Sequence, residues 1–178
     1  MRLLHVIQGY FPWVGGSARF FQEISERLTA AGHQVTVATT DAGDLEHFWS
    51  AGRRVVGPPR EVVRGVEVLR FPVRRRLNRP LLFSIYRRLM AELSDLPVDT
   101  TALVRTLARY TPRVPAFEAY LAQAGKSFDL VHGANITLDF MLTPAAAFAR
   151  SCGIPFVVTP FTHLGVAGQR RVQRYYTM

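Results

Sequence analysis

The first forty residues alternate apolar runs with an amphipathic segment, which is the pattern of a strand–helix–strand unit. Residues 3–7 form a short apolar, partly β-branched run typical of a buried strand, and residues 9–16 are rich in glycine and proline. From Ser17, a residue type that favours helix N-caps, apolar positions recur at helical spacing as far as Gly32. Residues 35–39 form a second β-branched run. This order predicts a doubly wound α/β fold, with a mainly parallel sheet flanked by helices.

The rest of the chain continues this alternation of strand and helix patterns. Further strands are expected at residues 66–71, 128–132 and 154–159, the first of them nearer the sheet edge because it alternates apolar and polar residues. Helices are expected at residues 80–93, 100–110, 117–124 and 138–150. Residues 41–59 are expected to form a surface loop. Residues 169–178 resemble the first turns of a further helix, so we expect the chain to be part of a longer protein.

The net charge of +9 is concentrated in one part of the chain. Residues 53–88 hold eleven arginines and two acids, and the remainder is neutral. Two interpretations of this basic segment stay open: a solvated surface, or a surface attracted to an anionic membrane, since arginines flank an amphipathic helix. Nucleic acid is not expected as a partner, because a recognition motif for it is missing and the apolar face of the helix favours lipid or core.

Several functional classes are disfavoured by what the sequence lacks. No window approaches the ~20 consecutive apolar residues of a membrane-spanning helix. No signal-peptide cleavage site follows Met1, so a cytoplasmic location is expected. The one cysteine, Cys152, has no disulfide or CxxC partner. No spacing of histidines and acids predicts a metal site, and no Ser/His/Asp order predicts a hydrolase.

Candidate binding chemistry lies in the loops that follow the strands, where doubly wound sheets bind ligands. Gly15 and Gly16 directly precede a helix, so they either expose N–H groups to a phosphate or other anion or simply make a tight turn. Arg19, in the first helical turn, could add positive charge. The GxGxxG fingerprint and the Walker GK[ST] sequence are both absent, so neither NAD nor P-loop ATP binding is favoured.

His163 follows the last predicted strand in the sequence TPFTHLG. A histidine at that position either transfers a proton or binds a polar ligand, or is a loop residue bonded to the backbone. Three other histidines are expected to be structural: His5 in the core of the first strand, His33 in a turn, and His132 at the end of a strand.

Three stretches in order carry a resemblance to a known family. They are FPWVGGSARFFQEISERLTAAGHQVTVATT, FDLVHGAN and GIPFVVTPFTH. Together they resemble the N-terminal domain of family-4 (group 1) retaining glycosyltransferases, which have the GT-B fold. The resemblance covers the whole chain except a basic helical insertion at about residues 72–115. It implies that residues 1–178 are the acceptor-side Rossmann-like half of such an enzyme, a fragment that lacks the C-terminal Rossmann-like domain.

The resemblance also implies roles for individual residues. Gly15, Gly16, Ser17 and Arg19 would approach the phosphates of a UDP- or GDP-sugar, and His163 would be catalytic, near the transferred sugar. Asn135 would line the cleft, together with Arg74, Arg75 and Arg76 on the acceptor side. The reaction would need no metal and no further cofactor. The acceptor would be a glycan or a lipid-linked molecule, and the enzyme would be peripheral at the inner face of a membrane.

Two departures from the family pattern qualify these expectations. Phe161 and Thr162 intervene between the Thr-Pro pair and His163, whereas many members place the histidine directly after that pair. The paired glutamates of the family belong to its second domain, so this chain alone is expected to be inactive. Two alternatives are a stand-alone flavodoxin-like binding protein and a basic membrane-surface module without catalysis.

Overall fold

A six-stranded sheet forms the centre of the molecule in a computed structural model that describes residues 1–50, 56–76 and 79–161. Its strands are β1 (Arg2–Val6), β2 (Gln34–Thr40), β3 (Arg60–Val63), β4 (Val66–Phe71), β5 (Leu130–Ala134) and β6 (Phe156–Thr159). Their order across the sheet is β3-β4-β2-β1-β5-β6, and every neighbouring pair is parallel except β3 with β4. The predicted mainly parallel sheet is confirmed.

The hairpin β3–β4 was not foreseen. Its first strand directly follows the predicted loop of residues 41–59, and it pairs with β4 from Arg60↔Leu69 to Val63↔Val66. Gly65 lies in the tight turn between them with φ of 84°, a conformation that glycine adopts without steric cost. β4 therefore lies one strand in from the edge, which agrees with the expectation that it is near the edge.

Helices cover both faces of the sheet. They are α1 (Gly16–Ala30), α2 (Pro80–Ser94), α3 (Thr101–Ala108), α4 (Pro115–Ala124) and α5 (Leu142–Cys152). One apolar cluster joins Leu3 of β1 and Ile7, which directly follows that strand, to Phe21 of α1. The alternate β1 residues Leu4 and Val6 belong to a second cluster, with α4 and α5. Because successive side chains of a strand point to opposite faces, α1 lies on one face and α4 and α5 on the other. The doubly wound arrangement is thereby confirmed.

The predicted starts of two helices were wrong by a few residues. The N-cap of α1 is Gly15 and not Ser17, because the helical hydrogen bonds already begin with Arg19 N–H donating to the Gly15 carbonyl at 2.9 Å. Ser17 thus lies inside the first turn, and it is free to contact another loop. The helix predicted from residue 138 begins instead at Leu142, after a short 3₁₀ turn at Ile136–Leu138.

The two ends of the helical insertion are joined to each other. The backbones of Arg74 and Arg113 exchange two hydrogen bonds, of 2.8 and 2.9 Å. Within it, the Tyr86 hydroxyl donates to the Leu107 carbonyl at 2.5 Å and joins α2 to α3. None of the helices in the described ranges is long and apolar enough to cross a membrane.

The apolar residues of α2 are divided between core and solvent. Met90 is buried, whereas Leu82, Ile85 and Leu89 are 48%, 56% and 48% exposed. Phe83 is buried and stacks on Trp49 with ring centroids 5.3 Å apart. This aromatic contact fixes the rotation of α2 about its axis and leaves an aliphatic stripe uncovered among the described residues.

Candidate functional site

The carboxyl ends of the five parallel strands meet at one edge of the sheet. This edge carries the loop of residues 7–15 after β1, residues 41–50 after β2, residues 72–76 after β4, Asn135 after β5 and residues 160–161 after β6. The predicted convergence of the loops at this edge is therefore observed where the chain is described. Residues 162–178, which include His163, lie outside the described residues.

The loop of residues 7–15, called the glycine loop below, packs around the indole of Trp13. A Cβ on Gly9 would lie 2.4 Å from Trp13 Cδ2, and one on Gly15 would lie 3.2 Å from Trp13 Nε1. The indole itself stacks on Phe48, with centroids 6.0 Å apart. Gly9 and Gly15 therefore have a packing role. Gly16 differs, because a Cβ there would have no atom of the other described segments within 4 Å, so among the described residues open space borders the start of α1.

Three polar side chains join the loops after β1 and β5. Gln8, which is 2% exposed, donates from Nε2 to the carbonyl oxygens of Ala134 at 3.1 Å and Leu138 at 2.6 Å. Asn135 donates from Nδ2 to Gln8 Oε1 at 3.1 Å and to Ser17 Oγ at 3.2 Å. The structure thus brings together two of the predicted site residues, Ser17 and Asn135, from opposite ends of the sequence.

The predicted cationic residues lie elsewhere on this edge. The Arg19 guanidinium pairs with Glu23, one helical turn along α1, at 3.1 Å. Arg75 donates to the His47 carbonyl at 2.5 Å, and the Arg76 guanidinium lies 5.3 Å from the centroid of Tyr110. Arg74 has an exposed side chain. These three arginines follow β4, so they lie on the β2–β4 side of the edge, whereas Ser17 and Asn135 lie on the β1–β5 side.

A buried arginine that the sequence did not single out holds the glycine loop. Arg70 of β4 is 4% exposed, forms an ion pair with Glu61, and donates to the carbonyl oxygens of Phe11 at 2.6 Å and Pro58 at 3.2 Å. Gln8 was missed as well. The signal in both cases is a polar residue at the carboxyl end of an apolar strand, where sheet edges bind ligands or anchor loops.

Two histidines lie side by side on the face covered by α1. His5 and His132 are in register on β1 and β5, with ring centroids 5.2 Å apart. Burial, with a smaller contribution from the neighbouring His132, lowers the pKa of His5 to about 3, and burial lowers the pKa of His132. His132 also bonds Thr159 Oγ1 at 2.8 Å. The core position expected for His5 is confirmed, and His132 has the contacts of a structural residue.

The described residues contain no group of three or more His, Cys, Asp or Glu side chains that could hold a metal ion. Three kinds of polar group lie at this edge in the described residues. These are the N–H groups at the start of α1 beside open space, the Ser17–Asn135 pair, and the exposed arginines that follow β4. Such groups suit a ligand that carries both anionic and hydroxyl groups.

Comparison with solved structures finds sucrose-phosphate synthase from Thermosynechococcus elongatus, with 14% identity and a TM-score of 0.48 over 97% of this chain. The chain spans 38% of that structure. A second structure of the same synthase gives 12% identity and a TM-score of 0.45, over 98% of this chain and 68% of the other. The C-terminal domain of a hydrogenase from Pyrococcus furiosus gives 13% identity and 0.40, over 88% and 89%. None of these likenesses is close enough to bear on function.

No curated protein matches the chain. The model of one protein family does match it, and that family is described as the glycosyl transferase 4-like domain. The match runs over residues 15–178, from Gly15, which directly precedes α1, to the last residue. It includes Ser17, Asn135 and the three arginines after β4. The chain therefore belongs to the glycosyl transferase 4-like domain family.

Proposed function

We propose that this chain is the acceptor-side half of a GT-B glycosyltransferase, which moves a sugar from a nucleotide-sugar to a glycan or lipid-linked acceptor with retention of configuration. The observation that carries this proposal is the family match over residues 15–178. The site at the carboxyl edge supports it, since open space borders the first turn of α1 beside a pair of hydroxyl-binding groups. The second Rossmann-like domain supplies most of the nucleotide site.

In this proposal the leaving UDP or GDP is stabilised by fixed positive charge and not by a metal. The N–H groups at the start of α1, at Gly16 and Ser17, lie beside the open space at the Gly16 Cβ position, and the positive end of the helix favours a phosphate there. Arg19 would strengthen this by exchanging its exposed Glu23 partner for the phosphate, since an exposed ion pair contributes little stability. His163 serves as the proton-transferring or sugar-binding group, and Arg74, Arg75 and Arg76 border the acceptor.

The test is sugar transfer by the full-length protein. UDP-glucose, UDP-galactose, UDP-N-acetylglucosamine and GDP-mannose are offered with short glycans and with polyprenyl phosphate, and products are identified by mass spectrometry. We expect one pair to react, with the anomeric configuration of the sugar retained by NMR, and residues 1–178 alone to be inactive. Transfer by the 178-residue chain would contradict the assignment of the donor side to a second domain. Ligand binding without any transfer would favour a binding protein.

A second proposal concerns the membrane and rests on the uncovered stripe of α2. Leu82, Ile85 and Leu89 are each about half exposed. Arg74, which is exposed, precedes this helix, and the exposed Arg88 lies on it. An aliphatic stripe with neighbouring arginines matches the surface by which peripheral proteins bind anionic lipid. We infer that α2 places the acceptor side of the enzyme on an anionic membrane surface.

Sedimentation with phosphatidylglycerol–phosphatidylcholine vesicles tests this second proposal. Replacing Leu82, Ile85 and Leu89 together by serine is expected to reduce the partition coefficient by about tenfold or more, since each half-exposed side chain loses apolar burial in lipid. The matched control replaces Leu45, Leu103 and Val157 by serine, because these residues are 51%, 49% and 47% exposed but lie outside α2. Equal binding by both variants and the wild type would exclude α2 as the lipid surface.

A further inference from the structure

Gln8 fixes the orientation of the Asn135 amide. Its Nε2 lies within hydrogen-bonding distance of three carbonyl oxygens, those of Ala134, Asn135 and Leu138 at 3.1, 3.4 and 2.6 Å. Carbonyl oxygens only accept, so this end of Gln8 must be its NH₂ group and the other end its oxygen. Gln8 Oε1 in turn faces Asn135 at 3.1 Å and requires a donor there. The atom of Asn135 that contacts Gln8 is therefore its NH₂ group.

Both protons of that NH₂ group are used inside the protein. One is donated to Gln8 Oε1 and the other to Ser17 Oγ at 3.2 Å. A flipped Asn135 amide would place its Oδ1 against Gln8 Oε1, and two acceptors would then face each other, so the orientation of the amide is fixed. In this orientation Asn135 Oδ1 has no donor among the described residues. Ser17 Oγ accepts from Asn135 and so keeps its own proton for donation. An oriented acceptor and a donor thus lie side by side next to the open space at Gly16.

We propose that Asn135 Oδ1 and the Ser17 hydroxyl together bind a hydroxyl group of a sugar, with Gln8 as a buried positioning residue. A sugar hydroxyl both donates and accepts, so it satisfies the two groups at once. A phosphate oxygen only accepts at neutral pH and would face the Asn135 carbonyl oxygen with like partial charge. The Ser17 hydroxyl therefore binds the sugar, while the neighbouring backbone N–H groups bind the phosphates. This inference rests on the proposed glycosyltransferase function.

Calorimetry on the full-length protein tests the pair with two kinds of sugar probe. One arm titrates the four nucleotide-sugars named above against bare UDP and GDP. The other titrates methyl α-glucoside and methyl α-mannoside, which stand for the hydroxyl groups of an acceptor. Asn135→Gly removes the amide and suits the left-handed backbone of this residue, whose φ is 64°. We expect about tenfold weaker sugar binding in one arm, and unchanged binding of bare UDP or GDP.

Two further variants and one control distinguish direct sugar recognition by Ser17 from a structural role of this region. Ser17→Ala, which removes only the donor, should weaken sugar binding several-fold, whereas Ser127→Ala at the opposite end of the sheet should have no effect. Gln8→Ala should lower the affinity for the sugar but not for the bare nucleotide. It should also speed hydrogen exchange of the Asn135 side-chain amide in NMR spectra. General damage to the fold would instead weaken sugar and nucleotide binding alike.

The outcomes distinguish this inference from the proposed function. If the wild type binds sugar probes but Asn135→Gly loses no affinity in either arm, the Ser17–Asn135 pair is not a sugar site, and the proposed function is untouched. An equal loss for bare nucleotide and nucleotide-sugar would also overturn the inference, because the pair would then serve the nucleotide. If the wild type binds no sugar probe and transfers no sugar, the proposed function fails and the inference fails with it.

Discussion

Replacing Arg70 by methionine is expected to lower the free energy of unfolding by about 3 kcal/mol, because removing one partner of a buried ion pair leaves the other uncompensated. The Arg70 side chain is 1% exposed and its partner Glu61 is 29% exposed. Water therefore relieves part of the cost for the carboxylate, which places the effect at the lower end of the usual range of about 3–5 kcal/mol. The backbone carbonyl groups of Phe11 and Pro58 lose their donor as well.

The surroundings of Arg70 explain why no other residue suits this position. Its fork-shaped guanidinium reaches three segments at once: the edge strand β3, the loop before it and the glycine loop after β1. A Cβ on Gly57 would lie 2.8 Å from Arg70 Cζ, so the backbone packs directly on the guanidinium. A lysine has one compact ammonium group and cannot serve carbonyl groups in two directions. Arg70→Lys should therefore recover only part of the lost stability.

Denaturant unfolding of matched variants measures this effect. The control is Arg60→Met on the same hairpin, where an arginine that is 76% exposed pairs with Glu67. Such a surface pair contributes about 0–1 kcal/mol, so the control should remain near wild-type stability. Combining Arg70→Met with Glu61→Gln should restore part of the loss, since the uncompensated charge is then gone. An equal cost for Arg70→Met and Arg60→Met would refute the structural role assigned to the buried pair.

Arg70 also illustrates which parts of the fold a single sequence can predict. The strands β1, β2, β5 and β6 were predicted from short segments rich in apolar and β-branched residues, and α1 because its apolar residues recur at helical spacing. β4 was predicted from alternation, but its buried residues are Val66, Val68 and Arg70. The arginine is buried because the partner Glu61 lies on β3, and β3 has only four residues. The burial of Arg70 depends on a residue of the neighbouring strand, so the sequence of β4 alone does not predict it.

In the candidate site, too, the sequence predicted individual residues but not the contacts between them. Ser17 and Asn135 were predicted from motifs, but the contact between them requires the β1–β5 pairing across more than a hundred residues. The role of Gln8 depends on carbonyl groups that converge only in the folded chain. The rotation of α2 likewise depends on the stacking of Phe83 on Trp49, which lie in different segments. Local patterns predict elements, whereas long-range contacts decide which polar groups face one another.

Lowering the pH from 7.5 to 5 is expected to reduce the free energy of unfolding by about 2 kcal/mol through His5 alone. His5 is 1% exposed and its Nδ1 lies 2.7 Å from Ser25 Oγ. Because the Ser25 hydroxyl donates to the Phe21 carbonyl at 2.6 Å, it can only accept from His5. The His5 proton is therefore on Nδ1, and Nε2 is bare in a setting that offers a second proton no stabilisation.

The sign of this effect follows from burial. The pKa of His5 is lowered from 6.5 in the unfolded chain to about 3 in the folded one. Between these values the unfolded chain binds the proton and the folded chain does not, so stability is full above pH 6.5 and falls as the pH is lowered toward 3. The pKa of His132 is lowered too, which adds to the loss in the same direction. The two rings touch edge to face, so a proton on one would repel a proton on the other.

Urea unfolding at pH 7.5, 6 and 5 tests this coupling, because carboxylates change their charge mainly below this range. His5→Leu removes the buried titrating group, so its free energy of unfolding should vary less with pH than that of the wild type. The matched control is Val37→Ala, at the position of β2 that is in register with His5. It removes buried apolar volume but no titrating group, so it should lower stability by a similar amount at every pH. If the wild type is as stable at pH 5 as at pH 7.5, the burial of His5 and His132 does not make the free energy of unfolding depend on pH, and the prediction is wrong. The histidines would then have to become hydrated in the folded protein, which the close packing of Phe21 against both rings opposes.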